Sequence, residues 1–173
     1  MGIEYYIGQA IGIIAMIISF LSYQMAEPKK LIVVQSVSTS MFCIHYLLLG
    51  SNIAFIMNLA CVVRNICFYY KEKVAFLKKF APIFFTVFIG LLGFLAWENI
   101  FSILMIIALT INTFCMSLGD NQLLRKSILF TSTLVMIYNL ILRSVGGSIS
   151  EILAITSSAI ALVRYRKTKN EKQ

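Results

Sequence analysis

Seven apolar stretches fill this chain of 173 residues and leave little else. They run over 5–25, 31–49, 52–70, 80–96, 100–118, 123–142 and 148–165. Each comes close to the roughly 20 residues that a helix needs to cross about 30 Å of hydrocarbon. A soluble helical bundle would carry charge along the outer face of its helices. These stretches have no charged face, and charged residues make up only 13% of the chain against 60% hydrophobic. The pattern predicts an all-α integral membrane protein of seven transmembrane helices.

The basic residues give that pattern a direction. With the N-terminus outside, the inner loops hold Lys29 and Lys30, then Lys71, Lys73, Lys78 and Lys79, then Arg125 and Lys126. The inner tail holds Arg164, Arg166, Lys167, Lys169 and Lys172. Thirteen of the fifteen basic residues thus fall on one side, with Arg143 outside and Arg64 within a span. The positive-inside rule then gives N-out, C-in. The net charge of +8 is an orientation signal that meets anionic lipid, and no nucleic-acid partner is expected. The first stretch carries Glu4 instead of a basic leader and is too long for a signal peptide's apolar core, so it reads as a retained helix.

Sliding the chain against itself by 92 positions brings Gln35, Thr39, Phe42 and Tyr46 onto Ser127, Thr131, Leu134 and Tyr138. That spacing marks one face of a helix. Past the following loop the best offset becomes 96, where Gly50 meets Gly146. Both loops contain glycine and both follow a span that begins after a basic inner loop. The chain divides on this reading into a three-helix repeat (1–71), a linker loop with the fourth helix (72–99), a second three-helix repeat (100–166) and a basic cytoplasmic tail (167–173). The fourth helix restores the orientation, so the repeats are parallel in a 3+1+3 arrangement.

Ala15 and Ser19-Phe20-Leu21-Ser22-Tyr23-Gln24, followed by Lys29-Lys30, resemble the Ser-Phe-x-Pro-Gln…Lys motif of SWEET/PQ-loop halves, with Tyr23 where the proline belongs. Within that superfamily the chain is most similar to the bacterial inner-membrane YgjV-type family. The residues that carry the likeness are His45-Tyr46, Gly50, Asn58 and Arg64, then Tyr138-Asn139, Ser144, Gly146-Gly147, Glu151 and Arg164. The resemblance implies a bacterial inner (cytoplasmic) membrane location and a site where the two repeats meet near the bilayer midplane. It also implies that Asn58 stands where an asparagine lines the sugar site of small SWEET-like halves, and Phe42 where that site has a tryptophan. On the offsets above, the second repeat has Ala154 and Leu134 at those places.

The depths of these residues agree with one site. Asn58 lies about 9 Å and Phe42 about 10 Å from the outer ends of their spans at 1.5 Å per residue. An amide and an aromatic face at one level suit a small polar solute; the plainer reading has Asn58 bonding a neighbouring helix. Arg64 has two readings: it faces the cavity and neutralises an anionic solute with Asn65 and Gln24 nearby, or it snorkels to the inner headgroups. His45, Tyr138 and Asn139 fall toward the outer side as further binding candidates. His45 with Glu151 would relay a proton; alternatively Glu151 pairs with Arg143, and His45 satisfies a backbone carbonyl. Ser22, Gln24 and Glu151 are candidates for gating or helix contact. Gly146-Gly147 is expected to make the tight outer turn, and Gly90 and Gly93 to let the fourth helix pack closely.

Four cysteines, Cys43, Cys61, Cys67 and Cys115, all fall inside spans without metal-ligand spacing and read as small packing residues. No catalytic residues, metal ligands or cofactor are expected, and the chain does not read as an enzyme. The expected partners are the lipid bilayer and an unidentified small solute. A monomer suffices for two repeats, and a homo-oligomer stays open. The expected function is transport by alternating access between the two three-helix bundles. The alternative is a receptor or scaffold of the same fold that binds without transporting.

Overall fold

The computed structural model describes residues 2–22, 28–70, 74–118 and 120–170. They form seven helices: α1 (Ile3–Ser22), α2 (Pro28–Leu48), α3 (Asn52–Tyr70), α4 (Ala75–Leu95), α5 (Ser102–Ser117), α6 (Asn121–Ile141) and α7 (Val145–Asn170). Three of them are long and apolar enough to cross a membrane, α1, α3 and the Val145–Tyr165 part of α7. Their neighbours have shorter apolar runs, such as Ile32–Leu48 and Phe80–Leu95. Large apolar side chains cover the outside; on α4, Ile83 is 72% exposed and Leu95 85%. A surface this apolar is suited to lipid rather than water.

Local chemistry sets the helix ends. Asp120 caps α6, its carboxylate accepting from Gln122 N at 2.8 Å and Leu123 N at 3.2 Å. Tyr23 and Gln24, the end of the first sequence motif, lie outside the described residues.

The α2–α3 and α6–α7 connections are built alike. At the end of α2, Gly50 N donates to Leu47 O (3.1 Å) and Ser51 N to Tyr46 O (3.0 Å), with Gly50 at φ +78°. At the end of α6, Arg143 N donates to Leu140 O (3.1 Å) and Ser144 N to Asn139 O (2.8 Å), with Arg143 at φ +57°. These are the paired bonds and the left-handed residue of a Schellman end. The serine that follows then caps the next helix. Ser51 Oγ accepts from Ala54 N, and Ser144 Oγ accepts from Gly147 N.

The motif therefore recurs at a constant spacing of 93 residues, and it corrects the register read from the sequence. The counterpart of Gly50 is Arg143, not Gly146. Gly146 and Gly147 do not form the turn but lie inside the first turn of α7. They are glycines because other atoms crowd them. A Cβ on Gly146 would stand 2.4 Å from the carbonyl carbon of Gly12 in α1, and one on Gly147 would stand 2.5 Å from Ser144 Oγ.

The helices pack as a ring in chain order, each of α1–α2–α3 and α5–α6–α7 side by side, closed where α1 meets α7. In the 93-residue register Gly12 and Gly146 correspond to Met105 and Ile53. The glycine pair lets α1 and α7 touch backbone to backbone. Ile53 and Met105 both lie in the core, α3 and α5 touch only sparsely, and α4 packs against both. Gly93 allows this, since a Cβ there would meet Ile106 Cγ1 at 2.6 Å; around Gly90 the nearest atom is 3.6 Å away. The main core runs through Ala15, Ile53, Met57, Ile89, Met105 and Ala108, with a smaller aromatic cluster of Phe68 and Phe85 between α3 and α4.

Candidate functional site

A cavity of about 100 Å³ lies between α2, α3, α5, α6 and α7. Phe42 and Tyr46 reach it from α2 and Asn58 from α3. Met105, Ala108, Leu109 and Asn112 line it from α5 at helical spacing, and Thr131, Ser132 and Val135 from α6. Gly147 and Glu151, one turn apart, complete it from α7. In the 93-residue register Asn58 corresponds to Glu151 and Phe42 to Val135. The sequence-based counterparts, Ala154 and Leu134, are corrected accordingly.

Polar groups in the cavity are incompletely partnered. Asn58 Nδ2 donates to Ala54 O of its own helix at 2.8 Å. It does not bond a neighbouring helix, and its Oδ1 has no partner among the described residues. Thr131 is 2% exposed, and its Oγ1 has no hydrogen-bond partner among the described residues. Glu151 is half-buried and shares the cavity lining with Ser132. The expected pairing with Arg143 is not formed. Glu151 lies two turns inside α7, while Arg143 sits in the turn before it, where its carbonyl accepts from Tyr5 Oη (3.0 Å) and Gln9 Nε2 (2.6 Å).

His45, Tyr138 and Asn139 form a separate layer at the ends of α2 and α6 and are not among the residues that line the cavity. His45 is fully buried over Gly12, whose missing side chain makes room for the imidazole. Its Nδ1 lies 2.7 Å from Gly8 O and its Nε2 2.6 Å from Ser144 Oγ. A carbonyl only accepts, so Nδ1 carries a proton and donates to Gly8 O, while Nε2 faces the serine hydroxyl. Tyr138 Oη lies 2.6 Å from Ser51 Oγ. Each helix-capping serine is therefore held by a ring from the other half of the chain. Between them Tyr46 Oη donates to Asn139 Oδ1 at 2.8 Å. Tyr46 and Asn139 are counterparts in the same register, so this bond crosses the midline between the halves. The reading in which His45 satisfies a backbone carbonyl holds, and no described geometry brings it to Glu151.

Arg64 takes neither of its expected places. It is 6% exposed and turned into the bundle, which corrects the snorkelling alternative, and it is not a lining residue of the cavity. Its Nη1 donates to Thr113 Oγ1 at 2.7 Å, and Nη2 and Nε donate to Asn65 Oδ1 at 2.9 and 3.2 Å. All its partners are neutral. Gln24, the expected neighbour, lies outside the described residues. Ser22 is buried and donates to Ser19 O in its own helix.

A family model described as a bacterial inner membrane protein, Imp-YgjV, matches residues 6–169. The chain belongs to this Imp-YgjV family. No curated protein and no solved structure matches it. Membership gives the setting, a bacterial inner membrane, in agreement with the long apolar helices. The family description specifies no function. In this member, sequence reasoning missed Asn112 and undervalued Thr131 and Ser132. Asn112 carried a usable signal: an amide in the middle of an apolar run is as costly there as Asn58 is in α3.

Proposed function

We propose that the chain is an inner-membrane transporter of a small polar solute. It spans the bilayer seven times in a SWEET-like 3+1+3 order, N-terminus outside and C-terminus cytoplasmic. One three-helix unit rocks against the other around the cavity, in alternating access. The observation that carries the reading is the cavity itself. It sits on the seam between the halves, takes Asn58 and Glu151 from equivalent places, and holds unpartnered polar groups in an apolar bundle. Such groups are expensive in a membrane interior unless something bonds them. The recurring 93-residue motif supports two parallel units, and the distribution of basic residues supports the orientation.

In this reading the Tyr46–Asn139, His45–Ser144 and Tyr138–Ser51 bonds close the outer end and part when the cavity opens outward. The same bonds favour a second reading, a receptor or scaffold whose halves stay locked while a ligand sits between them. Counterflow in proteoliposomes separates the two. Exchange of a bound solute across the bilayer is expected; saturable binding with no exchange would leave the receptor. Orientation is tested by single cysteines at positions 143 and 126 in a cysteine-free background. An impermeant maleimide is expected to label position 143 from the periplasmic side, and position 126 only after the membrane is opened.

A further inference from the structure

We propose that the cavity takes a small primary ammonium cation, with Glu151 as its counter-charge. This names the substrate class of the site above and rests on the transport reading only for the passage of that cation across the membrane.

The charge pattern comes first. Among the described residues that line the cavity, Glu151 is the one charged side chain, and no Lys, Arg or His joins it. Ser132 stands beside it in the lining, and its neighbours there are otherwise uncharged. Arg64, the base within α3, is occupied by Thr113 and Asn65 and stands outside the lining. A carboxylate away from bulk water with no base among the described lining residues is short of positive charge, and a cationic ligand supplies it. An anion in the same space would face Glu151 with no base to offset the repulsion.

The remaining walls suit an ammonium group. It offers three N–H donors and accepts none. Glu151 and Asn58 Oδ1 present acceptors, and the hydroxyl of Thr131, nine-tenths buried and without a partner, presents another. Phe42 and Tyr46 stack with ring centroids 6.0 Å apart, giving one wall an aromatic surface that attracts cations. Tyr46 Oη is already committed to Asn139, so this residue acts through its ring. A volume of about 100 Å³ is smaller than the ~150 Å³ that admits benzene. In proportion, that volume suits a ligand of roughly four non-hydrogen atoms.

The test uses the full chain in detergent with ethanolammonium, acetamide and acetate, which are similar in size and differ in charge. Ethanolammonium is expected to raise the melting temperature saturably, and acetate is expected to leave it unchanged. Glu151→Gln is expected to lose at least tenfold in ethanolammonium affinity, while Glu151→Asp keeps part of it. Acetate binding as tightly as ethanolammonium would overturn the proposal, as would no shift with the cation. So would undiminished cation affinity in Glu151→Gln. The comparison of the three probes on the unmodified chain stands even if a variant fails to fold. Counterflow with labelled ethanolammonium separates the two readings. Binding without exchange removes transport and leaves the cation site; preferred exchange of acetate or acetamide removes the cation site and leaves transport.

Discussion

Gly146 of α7 lies against the backbone of Gly12 in α1, where a Cβ would stand 2.4 Å from the Gly12 carbonyl carbon and 2.5 Å from its oxygen. Both contacts are to main chain, so no rotamer change relieves them. Gly146→Ala must push the two helices apart at the seam that closes the ring. The expected cost is about 1–3 kcal/mol, read as a lower melting temperature in detergent. Gly90→Ala is the control: its nearest neighbour is 3.6 Å away, and alanine favours helix. Equal stability of Gly146→Ala and the parent would mean that the seam is looser than described.

Arg143 holds the left-handed conformation that Gly50 holds in the matching loop. A residue with a Cβ pays roughly 1–2 kcal/mol there. The bonds that Arg143 accepts from Tyr5 and Gln9 go to its main-chain oxygen and survive loss of the side chain. Arg143→Gly is therefore expected to raise stability by about 1 kcal/mol, measured by thermal unfolding. A drop would mean that the side chain contributes more than the strain removes.

Hydropathy is a local property, and the helical stretches were legible because each apolar run is continuous; α3 begins at Asn52, where it was read to begin. The register of the halves was misread because glycine serves two purposes that look identical in a sequence. Gly50 turns the chain, whereas Gly146 admits a neighbouring helix, and the residue that does turn the second loop is an arginine. Asn58 and Phe42 were legible as a pair through their depth and their resemblance to known halves, and they share the cavity wall. Glu151 was drawn toward Arg143 by opposite charge and nearness in sequence. Helix geometry instead carries it two turns inward, to Ser132. Sequence reasoning gave His45, Tyr138 and Asn139 other neighbours than those they have, because depth along a helix does not say which way a side chain points around it.

The Tyr46–Asn139 bond offers a test of how the halves are held. Asn139 is fully buried, and its Nδ2 already has no partner among the described residues. Tyr46→Phe removes the donor to Oδ1 and leaves the whole amide unsatisfied, at an expected cost of about 1–3 kcal/mol. Tyr46→Phe combined with Asn139→Leu removes both polar groups and is expected to recover most of that loss. A double-mutant cycle in chemical or thermal unfolding measures the coupling. Strictly additive effects would show that the bond contributes nothing to joining α2 and α6.

Arg64 separates fold from binding. Its guanidinium serves Thr113 and Asn65 at once through three N–H groups. Lysine has a single nitrogen and cannot span both partners in that geometry. Arg64→Lys and Arg64→Gln are each expected to destabilise the chain by about 1–3 kcal/mol, the cost of leaving a buried partner unsatisfied. Thr113→Val should weaken the same contact, and its effect should not add to that of Arg64→Gln. Because Arg64 is not part of the cavity lining, the affinity of any bound solute is expected to change less than twofold once unfolding is accounted for. Glu151→Gln is expected to do the reverse, keeping the fold and losing the ligand. A large loss of affinity in Arg64→Gln, at preserved stability, would restore the arginine to the binding site and with it the case for an anionic solute.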